Sequence, residues 1–399
     1  MRINSLSMYK HHIYIGFILI FSSCSLVAQE DPPKRPVNNY VGVTYQAGKV
    51  LQTNDFVKGQ NASGQVIDYY QSLRLEYGVK TDGRKMWHQL YAYPEWGFGL
   101  YSANFFNTEE LGSPTAAYGF FKGPFFRWKK LSFNYNTGFG LTWNWQPYDS
   151  EANPYNIAIG SYRTVYIDVG LSLDWQFTRR FTATIGVSFT HFSNGATSIP
   201  NMGLNLSAPS IGLKYNFKKD PPEKIGHKIP DYKDNWEFLV VMMGGVKQVE
   251  FDTTNTGLST KYLGVNYGVF AFMPTINRQI SHMVKFGAGL DFAYDGSINA
   301  QIDISNNGEL ALADVPFSDK ISLSIFGNFE LVAGRLVLLV QPGYTFWRVE
   351  IEGQKPAFYQ RAGLKYMVWK DLFLGINIKA HDFGTADYIE WNAGWAINW

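Results

Sequence analysis

For most of its length the chain alternates apolar and polar residues one by one, in runs of about ten to fifteen separated by turn residues. Between 181 and 189 the odd positions are Phe181, Ala183, Ile185, Val187 and Phe189, while the even ones are Thr182, Thr184, Gly186 and Ser188. The strand before it repeats the pattern, with Val165, Ile167, Val169, Leu171 and Leu173 set against Asp168, Gly170, Ser172 and Asp174. A period of two is a β-strand with two unlike faces. About sixteen such strands are expected: 39–50, 65–78, 86–104, 115–128, 131–145, 162–177, 181–193, 203–218, 235–251, 260–273, 282–296, 319–332, 335–348, 357–369, 372–381 and 388–399.

The connectors sort by length. Those after even strands are short, such as Lys129-Lys130, Ala333-Gly334 and Lys370-Asp371, and those after odd strands are longer and polar, such as 52–64, 146–161 and 297–318. Short turns on one side and long loops on the other are the habit of outer-membrane barrels, so an all-β antiparallel transmembrane barrel is expected, with its apolar rows facing lipid. One connector breaks the rule: 219–233 falls on the periplasmic side yet is charged and Pro-rich, and it divides the strands into two sets of about eight. A single barrel is favoured over two eight-stranded ones. Only the last strand, with Ile389, Trp391, Trp395, Ile397 and Trp399 on one row, has the terminal aromatic of a closing strand. On that reading the strand near Tyr388 pairs with the one near Val41.

Composition supports the barrel. The 12 Trp, 25 Tyr and 30 Phe suit aromatic girdles and the 38 Gly suit tight turns. The apolar run Ile13 to Phe21 follows Arg2, Lys10, His11 and His12 and is too short to span a bilayer, so residues 1–28 read as a secretory signal cleaved after Ala28, leaving 29–399 as the barrel. The single cysteine, Cys24, lies in this segment; its use as a lipidation site is the rival reading, with Phe21-Ser22-Ser23 a poor match. No later run is long and apolar enough for a transmembrane helix. A net charge of +2 without a basic cluster gives no electrostatic case for nucleic acid.

The chemistry concentrates at one strand end. His191 and Ser193 are two apart, so they share the apolar, lipid-facing row, and they end an outward-running strand at the level of the outer leaflet. A base and a hydroxyl aimed at lipid suggest a lipid substrate. The register expected from a three-residue turn at 178–180 sets Ile167 opposite His191 and places Arg163 on the lipid face opposite Gly195, either as a partner for a lipid phosphate or as an interfacial arginine reaching the headgroups. Asn205 shares the face of His191, whereas Asp168 and His381 belong to lumen rows.

The string His191-x-Ser193-Asn194, followed by Asn201-x-Gly203, resembles the PagL-type lipid A 3-O-deacylases, outer-membrane barrels that hydrolyse an ester-linked acyl chain of lipid A. The specific match covers about residues 181–218, and members are commonly single eight-stranded barrels, so the second half is unexplained by the resemblance. The resemblance implies Ser193 as nucleophile and His191 as general base, with Asn194 and Gly195 at the oxyanion position. It also implies that Asn205 stands where the family has a glutamate; an asparagine can orient the imidazole but cannot stabilise an imidazolium by charge. The expected function is therefore a serine ester hydrolase of the bacterial outer membrane acting on lipid A of lipopolysaccharide, without metal or cofactor. The alternative is a non-catalytic pore or structural barrel whose lumen carries Lys214, Asn216, Asn377, Lys379 and His381.

Overall fold

Alternation makes each strand two-faced, but which strand edges meet is decided only when the sheet closes. In a computed structural model, residues 38–219, 224–251, 260–299, 302–304, 310–312, 315–350, 355–382 and 385–399 are described. The signal-like segment 1–28, with Cys24, and residues 220–223 of the Pro-rich connector lie outside them. The first eight strands are β1 (Asn38–Val50), β2 (Tyr69–Lys80), β3 (Glu95–Asn104), β4 (Gly112–Trp128), β5 (Leu131–Trp145), β6 (Val165–Trp175), β7 (Phe181–Ser193) and β8 (Leu204–Asn216). Each pairs antiparallel with the next, and β8 returns to β1 from Tyr40↔Asn216 to Val50↔Leu206, closing a barrel.

The rest of the chain closes separately. Its strands are β9 (Asn235–Lys247), β10 (Tyr267–Phe272), β11 (Thr275–Gln279), β12 (Val284–Asp295), β13 (Ile302–Ile304), β14 (Leu310–Leu312), β15 (Ile321–Ala333), β16 (Leu336–Trp347), β17 (Phe358–Met367), β18 (Leu372–His381) and β19 (Thr385–Asn398). Strand β19 meets β9 from Ile389↔Val246 to Asn398↔Glu237. Both β10 and β11 lie between β9 and β12, so together they form one stave of a second eight-membered ring. The small β13–β14 ribbon stands outside the ring.

The molecule thus has the alternative architecture, two eight-stranded barrels, and the expected pairing of the Tyr388 strand with the Val41 strand does not occur. Apolar rows match equally well in either closure. Here Val41, Val43 and Tyr45 meet Tyr215, Leu213 and Ile211 across the first seam, and no lipid-exposed edge is left open. Two strand boundaries depart most from expectation. Residues 86–94 are not strand: Met86–Leu90 form a one-turn helix, and Ala92 and Tyr93 take positive φ. The stave expected at 260–273 begins only at Tyr267 and is interrupted at Pro274, which has no N–H to give the ladder, before resuming as β11.

Both interiors are filled. In the first barrel, Tyr70, Tyr101, Trp145, Tyr166 and Phe192 pack together near the end of β7, and deeper in Asp174 accepts from Lys122 at 2.7 Å and Lys214 at 3.0 Å. In the second, fully buried Arg361 donates to Glu390 at 2.6 and 2.9 Å, to Asp291 at 2.8 Å and to Gln341 at 3.1 Å. Beside this network a cavity of about 20 Å³ is lined by Glu330, Lys365 and Asn377, room for about one water. Such interiors are packed with side chains. The outward rows stay greasy, with Ile185 and Val187 56% exposed and Ile211 62%, surface that suits contact with lipid in the outer membrane.

Candidate active site

Strand β7 ends with its two faces doing different work. Phe192 points into the lumen and packs on Trp145, Tyr166 and Tyr101 at centroid distances of 5.2, 5.8 and 6.0 Å. That anchor fixes the strand end, and alternation then assigns His191 and Ser193 to the opposite, outward row. Across the ladder Val165 faces Ser193, Ile167 faces His191, and His191 faces Asn205 of β8. The register runs through Pro209 without a bulge.

The His191–Asn205 pair is a hydrogen bond of 2.7 Å between imidazole Nδ1 and amide Oδ1. Asn205 Nδ2 in turn donates to Thr53 Oγ1 at 3.1 Å, which is the orientation that leaves Oδ1 to accept. His191 therefore carries its proton on Nδ1 and presents an unprotonated Nε2. The chain folds back over it at Gly203, whose φ is +71° and where a Cβ would stand 3.0 Å from His191 Cε1, so a glycine is needed for the approach.

Ser193 is buried, covered by the segment that leaves β7. Its Oγ accepts from Gly195 N–H at 3.0 Å and from Asn201 Nδ2 at 2.8 Å. Asn201 Oδ1 accepts from the backbone N–H of Asn194 at 3.0 Å, so one amide holds two successive residues where the turn leaves β7. The Asn194 side chain donates to Ser198 O at 2.7 Å and Ser161 Oγ at 3.3 Å, which ties the loop together and turns its amide away from Ser193. Gly195 and Ala196 have φ of +62° and +58°, the left-handed geometry that swings the Gly195 N–H back onto the serine. No hydrogen bond joins His191 to Ser193 among the described residues, and the serine hydrogen is left free for an acceptor. Arg163 lies exposed just before β6, its carbonyl accepting from Ser161 Oγ at 2.5 Å.

The lumen residues sit elsewhere. Asp168 accepts from Arg74 at 2.9 and 2.5 Å and from Thr190 Oγ1 at 2.8 Å inside the first barrel. His381 is buried in the second, with Nδ1 3.1 Å from Phe358 O and Nε2 3.5 Å from Asp387. Asn201 has the role that sequence reasoning left unassigned; its signal was already present in the Asn201-x-Gly203 string, but only the folded loop brings it to the serine.

Comparison with known proteins divides along the two barrels. A family model for lipid A 3-O-deacylase (PagL) matches residues 71–214, and one for the C-terminal domain of acyloxyacyl hydrolase matches 236–399. The half without counterpart in the PagL motif thus has a family model of its own. No curated protein matches the chain. Solved structures with overlapping segments include CdiB from Acinetobacter baumannii (8% identity, 91% of this chain and 60% of that one, TM-score 0.17). They also include the Pseudomonas putida toluene transporter TodX (9%, 91% and 89%, 0.17) and the Pseudomonas aeruginosa siderophore receptor PirA (8%, 92% and 81%, 0.25). The chain spans less than two thirds of CdiB, and overlaps this loose bear on neither fold nor function.

Proposed function

We propose that this chain, whose two barrels match family models for lipid A 3-O-deacylase (PagL) and for the C-terminal domain of acyloxyacyl hydrolase, is a serine ester hydrolase of the outer membrane that removes an ester-linked acyl chain from lipid A. The observation that carries the reading is the convergence of an oriented imidazole and a twice-coordinated serine on the lipid-facing row of one strand end. His191 Nε2 takes the proton of Ser193 Oγ as the oxygen attacks the ester carbonyl carbon. The carbonyl becomes a tetrahedral oxyanion, and Oγ, now part of a C–O bond, is a poorer acceptor. The Gly195 N–H and Asn201 Nδ2, both within hydrogen-bond reach of Oγ, then turn to the adjacent oxyanion. Collapse expels the sugar oxygen, which takes the proton from His191 and leaves an acyl-serine. Water, activated by the same imidazole, releases the fatty acid.

Asn205 holds the His191 tautomer by accepting from Nδ1, which supplies geometry but no negative charge for the imidazolium. Arg163, exposed just before β6, is the proposed partner of a lipid A phosphate. The test is mass spectrometry of lipid A from cells expressing the wild type or Ser193→Ala. Loss of one acyl chain with the first and not the second is expected; an unaltered lipid A in wild-type cells returns the structural-barrel reading.

A further inference from the structure

The turn that presents Gly195 to Ser193 is braced from both barrels. From the first, Met202 N donates to Ile157 O and Gly203 N to Ala158 O, each at 3.0 Å, while Ser198 Oγ donates to Gly160 O at 2.6 Å. From the second come Ile378 on β18 and Ile389 on β19, which are ladder partners and both lie against the Gly195 α-carbon: a Cβ there would overlap Ile389 Cγ1 and stand 3.5 Å from Ile378 Cδ1. Gln248, just past β9, accepts from Ile199 N–H at 3.0 Å and is itself held by Asn266 at 2.8 Å.

We propose that the C-terminal barrel is a positioning part of the hydrolase site, its Ile389, Ile378 and Gln248 holding the 194–199 turn so that the Gly195 N–H stays on the serine. This rests on the hydrolase reading above. The physical reason is the left-handed geometry at two successive positions, Gly195 and Ala196. Such a turn keeps one shape only when its surroundings over-determine it, and an N–H displaced by a fraction of an ångström loses most of its effect on an oxyanion. The isoleucines act on Ser193 only through Gly195, so they touch no reacting atom.

The experiment uses the full chain in detergent–lipid A mixed micelles, with deacylation followed by mass spectrometry and folding checked by heat-modifiable gel mobility. Ile389→Ala is expected to lower kcat by about tenfold with KM within about twofold, and Ile389→Val to restore most of it. Gly195→Ala should lose about a hundredfold because its methyl meets Ile389, and adding Ile389→Ala should return about tenfold of that by removing the obstruction. Gln248→Ala should lower kcat by a fewfold, about three. If wild type is active while Ile389→Ala matches it and the double variant is no better than Gly195→Ala, the positioning role is overturned and the hydrolase reading stands. If wild type is inactive while correctly folded, the hydrolase reading fails, and the positioning proposal falls with it. A variant of Ile389 that loses heat-modifiable mobility as well as activity would make the contact structural and also overturns the proposal.

Discussion

Two strands of the molecule carry a histidine in their last three residues, and they use it in opposite ways. Strand β7 ends His191-Phe192-Ser193, and β18 ends Lys379-Ala380-His381. In β7 the histidine lies on the apolar row, faces outward, and finds Asn205 at 2.7 Å on the same face. In β18 the apolar row is Leu372, Leu374, Ile376 and Ile378, so His381 is one residue out of step and turns into the lumen, beside Phe358 O and Asp387. A single step in parity separates a base on the outward row from a lumen imidazole. The neighbour two residues away completes the difference: Ser193 on β7 is held by two donors, and Lys379 on β18 lies 4.2 Å from the Tyr359 ring centroid, a lumen cation–π contact.

Removing each side of the comparison should separate chemistry from packing. Ser193→Ala and His191→Ala are each expected to reduce deacylation by about a thousandfold or more, measured as the rate of fatty-acid release, while His381→Ala leaves the rate within about twofold. A large loss in His381→Ala would mean that the second strand end takes part in the chemistry and would break the parity argument.

Stability should show the reverse order. Arg361→Met leaves Asp291 and Glu390 buried without their cation and should cost about 3–5 kcal/mol, read as a lower urea midpoint in detergent. The site variants on β7, whose side chains lie outside the packed lumen, should move that midpoint little.

Within the site, Asn205→Ala should cost about ten- to a hundredfold in kcat by freeing the His191 ring, and Asn205→Glu should keep or raise the rate by adding charge at the same position. A Glu variant as slow as Ala would remove Asn205 from the orienting role. The smallest effect is expected from Arg163→Ala, a rise in KM of about three- to tenfold for phosphorylated lipid A that disappears with a dephosphorylated substrate.

Much of the fold was legible along the chain, because period-two alternation is local and each strand declares its faces without reference to its partners. That is why the β6–β7 register at Ile167 and His191 could be counted from turn length, and Asn205 placed on the face of His191 by parity. The helix at Met86–Leu90 was not legible, since five residues are too few to show a helical period, and the Pro274 break divides a stave that alternation draws as one strand. Closure was not legible either. Every strand edge offers the same N–H and C=O groups, so alternation cannot say whether β19 returns to β1 or to β9; only the folded ladders, β8 on β1 and β19 on β9, answer it. The sequence by itself determined the strands, their faces, and the placing of His191, Ser193 and Asn205 on one of them. Only the tertiary structure decided the two-barrel closure, the approach of Asn201 to Ser193, and the contact of Ile389 with Gly195, because each joins residues whose meeting depends on how loops and separate sheets come together, which no periodicity records.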